Sequence, residues 1–223
     1  MKKNKEDIDI NSKRKKTVFR EYLEAIIIAL ILALFIRTFV VQAFKIPSGS
    51  MENTLLIGDH ILVNKFSYGI KIPNKIFFSN IKLFRDIRFF EEIPERGDTI
   101  VFEYPKDESR DFIKRVIGLP GEVFEIKAQT IYINGKQIKE QYVIHRDPYM
   151  ADRPLYPRDN YGPVVIPEKQ LFVMGDNREN SQDSRYWNFL DLARVKGKAF
   201  IIYWSWNSKK FGVRWNRLAK LIK

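Results

Sequence analysis

Phe44-Lys-Ile-Pro-Ser-Gly-Ser-Met-Glu-Asn-Thr-Leu55 joins two parts of the chain that follow different patterns. Before it runs the one segment long and apolar enough to enter a membrane. After it come short runs rich in Ile, Val, Phe and Tyr, punctuated by Gly and Pro. Within it, Ser48 and Ser50 flank Gly49 directly behind Pro47. A serine hydroxyl is a weak nucleophile until a base takes its proton, so the stretch raises the question of which residue elsewhere is that base.

Upstream, Tyr22 to Ile36 begins an apolar run that continues past Arg37 to Phe44, roughly 20 residues, about what a bilayer core requires. A transmembrane helix is expected over 22–43. Arg37 is costly at mid-bilayer and tolerable near an end, where its stem lets the guanidinium reach the interface. Residues 1–20 carry eight Lys or Arg against three acids. Basic flanks stay inside, which predicts a cytoplasmic tail over 1–21 and an extracytoplasmic domain over 44–223 of a single-pass cell-membrane protein. The rival is a cleavable signal peptide, since Val41-Gln-Ala43 loosely matches a small-residue cleavage pattern. Against it, the run exceeds the usual length of about 7–15 residues and contains Arg37.

The composition, 45% hydrophobic and 30% charged over 223 residues, describes a folded domain of ordinary size beside that segment. With 39 Lys and Arg against 27 acids, the net charge is +12, of which the first twenty residues hold five. The absence of cysteine removes disulfides, thiolate nucleophiles and zinc-cysteine sites. His60 and His145 are the two histidines, too few for a multi-His metal centre and poor material for a Ser-His-Asp arrangement.

Strands are expected at His60–Asn64, Thr99–Glu103, Phe112–Ile117, Glu122–Ile126, Thr130–Ile133, Gln170–Met174 and Lys198–Trp204, so the extramembrane part is mainly β and antiparallel. Asn134-Gly135 signals a two-residue hairpin, because a type I′ turn needs positive φ at both central positions. Residues 70–96 and 145–168 read as surface insertions. The aromatic and basic end, with Trp204, Trp206 and Trp215 among Lys and Arg, is a last strand with a solvated tail or, alternatively, a short helix over 213–223 against the outer leaflet.

Lys114 stands inside Phe112-Ile-Lys-Arg-Val-Ile117, where alternation places it on the face of Phe112 and Val116. A lysine there is either an edge residue that snorkels to water or a base. At a pKa of about 10.4, on the order of one lysine in a thousand is neutral near pH 7.4, so a base requires a fold that desolvates the amine. Met174-Gly-Asp-Asn-Arg-Glu-Asn-Ser-Gln-Asp-Ser-Arg-Tyr-Trp187 is either a self-satisfied polar loop or a shell that orients a reacting group.

In these stretches, with Leu56–Gly69, Arg96-Gly-Asp98 and Ile113–Glu122, the chain resembles the type I signal peptidases, membrane-anchored Ser/Lys endopeptidases that remove signal peptides from exported precursors. The resemblance implies that Ser50 is the nucleophile, that Lys114 is its general base, and that Ser48 donates to the oxyanion beside the Ser50 amide. Ser181 would orient the Lys114 amine, Asp183 and Arg185 would hold the polar loop as an ion pair, and Asp176 would support it. Phe44, Ile46, Leu55 and Ile113 would line shallow pockets for the small residues before the cut. The resemblance calls for no cofactor or metal, and its partners are signal-peptide precursors and the lipid bilayer, with no nucleic acid and with the enzyme monomeric or weakly associated.

Two positions depart from that family: Asn53 stands where proline is common and Glu179 where aspartate is. Asn53 is expected to loosen the turn after Ser50, since proline would fix φ. Other readings fit the residues less well. A self-cleaving repressor would need a DNA-binding module in front, and a tethered β-domain binding an anionic polymer would leave Ser50, Lys114 and Ser181 unexplained.

Overall fold

The computed structural model describes residues 3–71, 88–90, 92–143, 157 and 159–222, with side chains for all but 3–17, 39, 70, 71 and 88. Met1–Val40 and Val41–Lys223 form two separate units. The first is a helix, α1 (Lys3–Phe35), which ends in one π-helical turn over Ile36–Val40. Among the described residues, no helix is long and apolar enough to cross a membrane. The helix expected to reach residue 43 stops earlier, because Thr38, Phe39, Val40 and Val41 favour extended backbone and residues 41–43 are already strand.

In the second unit, β1 (Val41–Lys45) pairs antiparallel with β2 (Asp59–Asn64), Phe44 opposite Ile61. The connection between them is closed at its neck, where the Ile46 amide donates to the Asp59 carbonyl at 2.8 Å and the Gly58 amide to the Ile46 carbonyl at 3.0 Å. Ser50 therefore rides on a loop that both ends of a strand pair hold. After a short ribbon of β3 (Ile70–Lys71) and β4 (Arg88–Phe89), β5 (Thr99–Tyr104) and β6 (Asp107–Gly118) form a hairpin with Ile100 opposite Lys114.

A second sheet follows, from β7 (Val123–Lys127), β8 (Thr130–Ile133), β9 (Lys136–Gln137) and β10 (Tyr161–Val165), in the order β10-β7-β8-β9. The chain then returns through β11 (Gln170–Met174), a single helical turn α2 (Ser184–Trp187), β12 (Leu190–Asp191) and the long β13 (Val195–Asn207). β14 (Gly212–Val213) and β15 (Lys220–Leu221) pair back onto β13. The large sheet runs β1-β2-β13-β5-β6-β11-β12, so the strand of Lys114 lies beside the strand that feeds the polar loop.

Both faces of the central strands are covered. In β5, Ile100 and Phe102 pack with Val116, Leu171, Val173 and Trp187, whereas Val101 packs with Ile46, Met51, Leu55, Ile61 and Val63. A third cluster joins Ile117, Phe172 and Met174 to Phe124, Ile126, Ile131 and Ile166 and so fastens the second sheet to the first. The turn that follows Ser50 is thus pinned by Met51 and Leu55, both fully buried; burying such side chains stabilises by roughly 1.5–3 kcal/mol each.

The strand expectations hold at all seven sites, Thr130–Ile133 and Gln170–Met174 with the same ends. Asn134 and Gly135 have φ of 51° and 76°, as the hairpin requires. Two expectations are corrected. Part of the supposed insertion at 145–168 is core, since β10 pairs with β7 and Ile166 is fully buried; 144–156 and 158 lie outside the described residues, as do 72–87 and 91 of the first insertion. The alternative of a helix at the chain end is not met among the described residues: two short strands flank the 3-10 turn Trp215–Arg217, because Arg217 is drawn inward to the buried Asp59 at 2.5 Å.

Candidate active site

β6 delivers Lys114 to Ser50. Its Nζ donates to Ser50 Oγ at 2.9 Å and to the Ile113 carbonyl at 2.9 Å, and lies 5.2 Å from the centre of the Phe112 ring, the neighbour that alternation predicted. Ser50 and Lys114 are both buried, at 7% and 3% exposure. Burial pushes the amine down to about 8, against the pull of the Asp183 and Asp176 carboxylates and with the help of Arg185. At pH 7.4 about one amine in five is then neutral, compared with about one in a thousand in water.

The loop carrying Ser50 is held from the polar loop. The Asn177 amide donates to the Ser50 carbonyl at 3.1 Å, and Asn177 Nδ2 to the Gly49 carbonyl at 3.1 Å. Gly175 allows the two loops to touch: a Cβ there would stand 2.3 Å from Ser181 Oγ and 2.4 Å from the Ser50 carbonyl oxygen. Asp183 accepts from the Gly175 amide at 3.0 Å and from Arg185 twice at 2.8 Å, while Arg185 Nη2 also donates to the Arg178 carbonyl at 2.8 Å. Burial alone would raise the Asp183 carboxyl, but Arg185, Ser181 and the Gly175 amide outweigh it and hold it below the usual range.

Asp176 has a different partner. Arg115 Nε and Nη2 grip its two oxygens at 2.9 and 2.8 Å, and Thr54 Oγ1 donates to it at 2.5 Å. Arg115 also donates to Thr54 Oγ1 at 3.1 Å and to the Gly97 carbonyl at 2.6 Å, so one buried guanidinium ties together the Ser50 turn, the polar loop and the start of β5. Sequence reasoning singled out neither Arg115 nor Asn177. The signal available was a buried-strand arginine next to Lys114, which has no local use.

A cleft of about 600 Å³ opens over the pair, lined by Ser48, Ser50, Ile113, Lys114, Ser181 and Tyr186 among others. Ser48 is exposed on its wall. Ser181 is buried on it, near the Asp183 carboxylate, yet its hydroxyl makes no hydrogen bond of normal geometry among the described residues, and Lys114 has its bonds elsewhere. Of the four expected pocket residues, Phe44 and Ile113 are half-buried, but Ile46 and Leu55 are 2% and 0% exposed and serve as core beneath the loop. Asn53 does not loosen the turn. It takes φ of 95°, outside what a proline ring permits, and its Nδ2 donates to the Tyr142 carbonyl at 3.1 Å.

A buried serine hydroxyl bonded to a desolvated amine at the base of an open cleft is an arrangement suited to serine hydrolase chemistry. The chain belongs to the signal peptidase family, peptidase S26, whose pattern matches residues 19–204. It is a serine peptidase that removes signal peptides. Among similar proteins, Signal peptidase I of Pseudomonas aeruginosa is 34% identical over 226 residues, covering 88% of this chain and 76% of that one. Probable signal peptidase I-2 of Synechocystis sp. is 38% identical over 203 residues, covering 86% and 78%. The crystal structure of a signal peptidase I from Enterococcus faecalis is 33% identical with a TM-score of 0.40, covering 48% of this chain and 97% of that one.

Proposed function

We propose that Ser50 is the nucleophile and Lys114 the general base of this cleavage, with exported precursors as substrates and small residues before the cut. The observation that carries the reading is the 2.9 Å bond between Lys114 Nζ and Ser50 Oγ in a setting that lowers the amine to about 8. With the amine neutral, the bond reverses: Ser50 Oγ–H donates to Nζ, Oγ attacks the scissile carbonyl, and Lys114 holds the proton until the leaving amine takes it. Water then enters, loses a proton to Lys114 and attacks the acyl carbon, and Lys114 returns that proton to Ser50 Oγ as the acid leaves.

The oxyanion is held by the Ser48 hydroxyl and the Ser50 amide; one such donor is worth roughly 10²–10³ in kcat. Ser181, whose buried hydroxyl lies near Asp183 with no hydrogen bond of normal geometry among the described residues, is available to orient the amine. Phe44 and Ile113 offer the apolar surface for small side chains, with Ile46 and Leu55 behind them as packing.

The finer placement, a single-pass anchor over 22–43 with a cytoplasmic amino terminus, a catalytic domain outside and the bilayer as partner, rests on the apolar run and the basic tail. It is tested by whether the protein stays with membranes through an alkaline wash; release into the supernatant defeats it. The enzyme works as a monomer or a weak associate. For the chemistry, Ser50→Ala, with its fold checked by melting, is mixed with a precursor: no cleavage is expected, and full activity would defeat the reading.

A further inference from the structure

Residues 140–142, just beyond β9 of the second sheet, touch each of the three stretches that build the site. The Tyr142 ring lies 3.9 Å from the Arg115 guanidinium carbon and covers a face of it. Its carbonyl accepts from Asn53 Nδ2 at 3.1 Å, and its hydroxyl donates to Glu140 Oε1 at 3.0 Å. Glu140 in turn pairs with the buried Arg178 at 2.5 Å, whose Nε donates to the Gly175 carbonyl at 3.2 Å. One short segment thus holds the Ser50 turn through Asn53, the Lys114 strand through Arg115, and the polar loop through Arg178.

We propose that residues 140–142 are a strap that sets the distance between Ser50 and Lys114, with Tyr142 and Glu140 as positioning residues for the peptidase reaction. The proposal rests on Ser50 and Lys114 being the reacting pair. Arg115 follows Lys114 in β6 and grips Thr54 in the Ser50 turn and Asp176 in the polar loop, so its orientation fixes three backbones at once. Its edges are taken by those partners and by the Gly97 carbonyl, and the Tyr142 ring keeps water from its face. Without the ring, water competes for the guanidinium, and the Ser50 turn gains freedom relative to Lys114. Neither Glu140 nor Tyr142 lines the cleft, so the strap acts on the geometry of the reacting atoms and leaves substrate contacts alone. The same geometry explains Asn53: its left-handed backbone aims the side-chain amide at the strap, which proline cannot do.

The test compares Tyr142→Leu, Tyr142→Phe and Glu140→Gln with the parent chain in steady-state cleavage of a precursor peptide, with melting measured on each. Because a misplacement on the order of 1 Å costs about a hundredfold, Tyr142→Leu is expected to lower kcat at least about tenfold with KM within about twofold. Tyr142→Phe, which keeps the ring face, should recover most of that loss, and Glu140→Gln should fall between them. A kcat for Tyr142→Leu near that of the parent overturns the proposal, as does a loss seen in KM alone or a Tyr142→Phe no better than Tyr142→Leu. If Tyr142→Leu fails to fold, Asn53→Gly decides: it keeps the positive φ and removes only the bond to the strap. Lower kcat at unchanged KM and melting temperature supports the strap, and unchanged kcat overturns it. A cleaving Ser50→Ala would show instead that the reacting pair itself is misassigned; an inert Ser50→Ala beside a fully active Tyr142→Leu would remove the strap alone.

Discussion

Lys114 and Ser50 are joined by a 2.9 Å hydrogen bond across 64 residues of chain, and desolvation rather than a neighbouring cation makes the largest contribution to lowering the amine to about 8. With Lys114 as the proposed base the neutral amine is the active form, so kcat/KM should rise with pH through about 8 and level off above it. A pH–rate profile from 6 to 10 checks this. An acid limb near the ordinary lysine value would mean that the amine is not desolvated in the working enzyme.

The same burial makes Lys114 a cost to stability at neutral pH. Its folded pKa lies below the unfolded value of 10.5, so between about 8 and 10.5 the unfolded chain binds more protons and stability rises with pH. Lys114→Met should therefore be more stable than the parent at pH 7, on the order of a few kcal/mol, with the gain shrinking toward pH 10. Urea unfolding at the two pH values measures it, and a variant less stable at pH 7 would contradict the account.

Gly175→Ala should leave most of the fold intact and impair cleavage. The added Cβ meets Ser181 Oγ at 2.3 Å and the Ser50 carbonyl at 2.4 Å, and the latter is backbone that cannot swing aside. A shift of that size predicts a kcat loss on the order of a hundredfold. Activity close to the parent's would show that the Ser50 loop tolerates displacement.

Asp176→Asn leaves the Arg115 guanidinium buried, at 1% exposure, without its carboxylate. Breaking one side of such a pair costs about 3–5 kcal/mol, so the urea midpoint should fall clearly. A midpoint within error of the parent's would mean that water reaches Arg115 readily.

Much of the β architecture was legible because it is local. Thr130-Ile-Tyr-Ile133 alternates between strand faces, and Asn134-Gly135 dictates its turn. Strand β1 was hidden because Val41, Ala43 and Phe44 continue the apolarity of the segment before them, so no change of period marks the boundary. Strand β10 was hidden by Gly162 and Pro163, which read as loop. The end of the chain stayed open between a tail and a helix because what shapes it is Asp59, a partner 158 residues away from Arg217.

The site shows the same division. Lys114 was visible as a misplaced cation in an apolar alternation, but the desolvation that lowers its amine comes from packing between segments. Asn177 and Tyr142 carried no signal and Arg115 only its place beside Lys114, since each acts through partners distant in the chain. Ile46 and Leu55 were legible as apolar, and only packing shows that they lie beneath the surface.

In the proposed reaction the acyl group passes to Ser50 while Lys114 takes the proton. Mixing the enzyme with a peptide ester that has a small residue at the scissile carbonyl, quenching in acid and mapping the peptides by mass tests it directly. One acyl group is expected on Ser50 in the parent and none in Lys114→Ala. An acyl group on another residue, or equal labelling of Ser50 without Lys114, would contradict it.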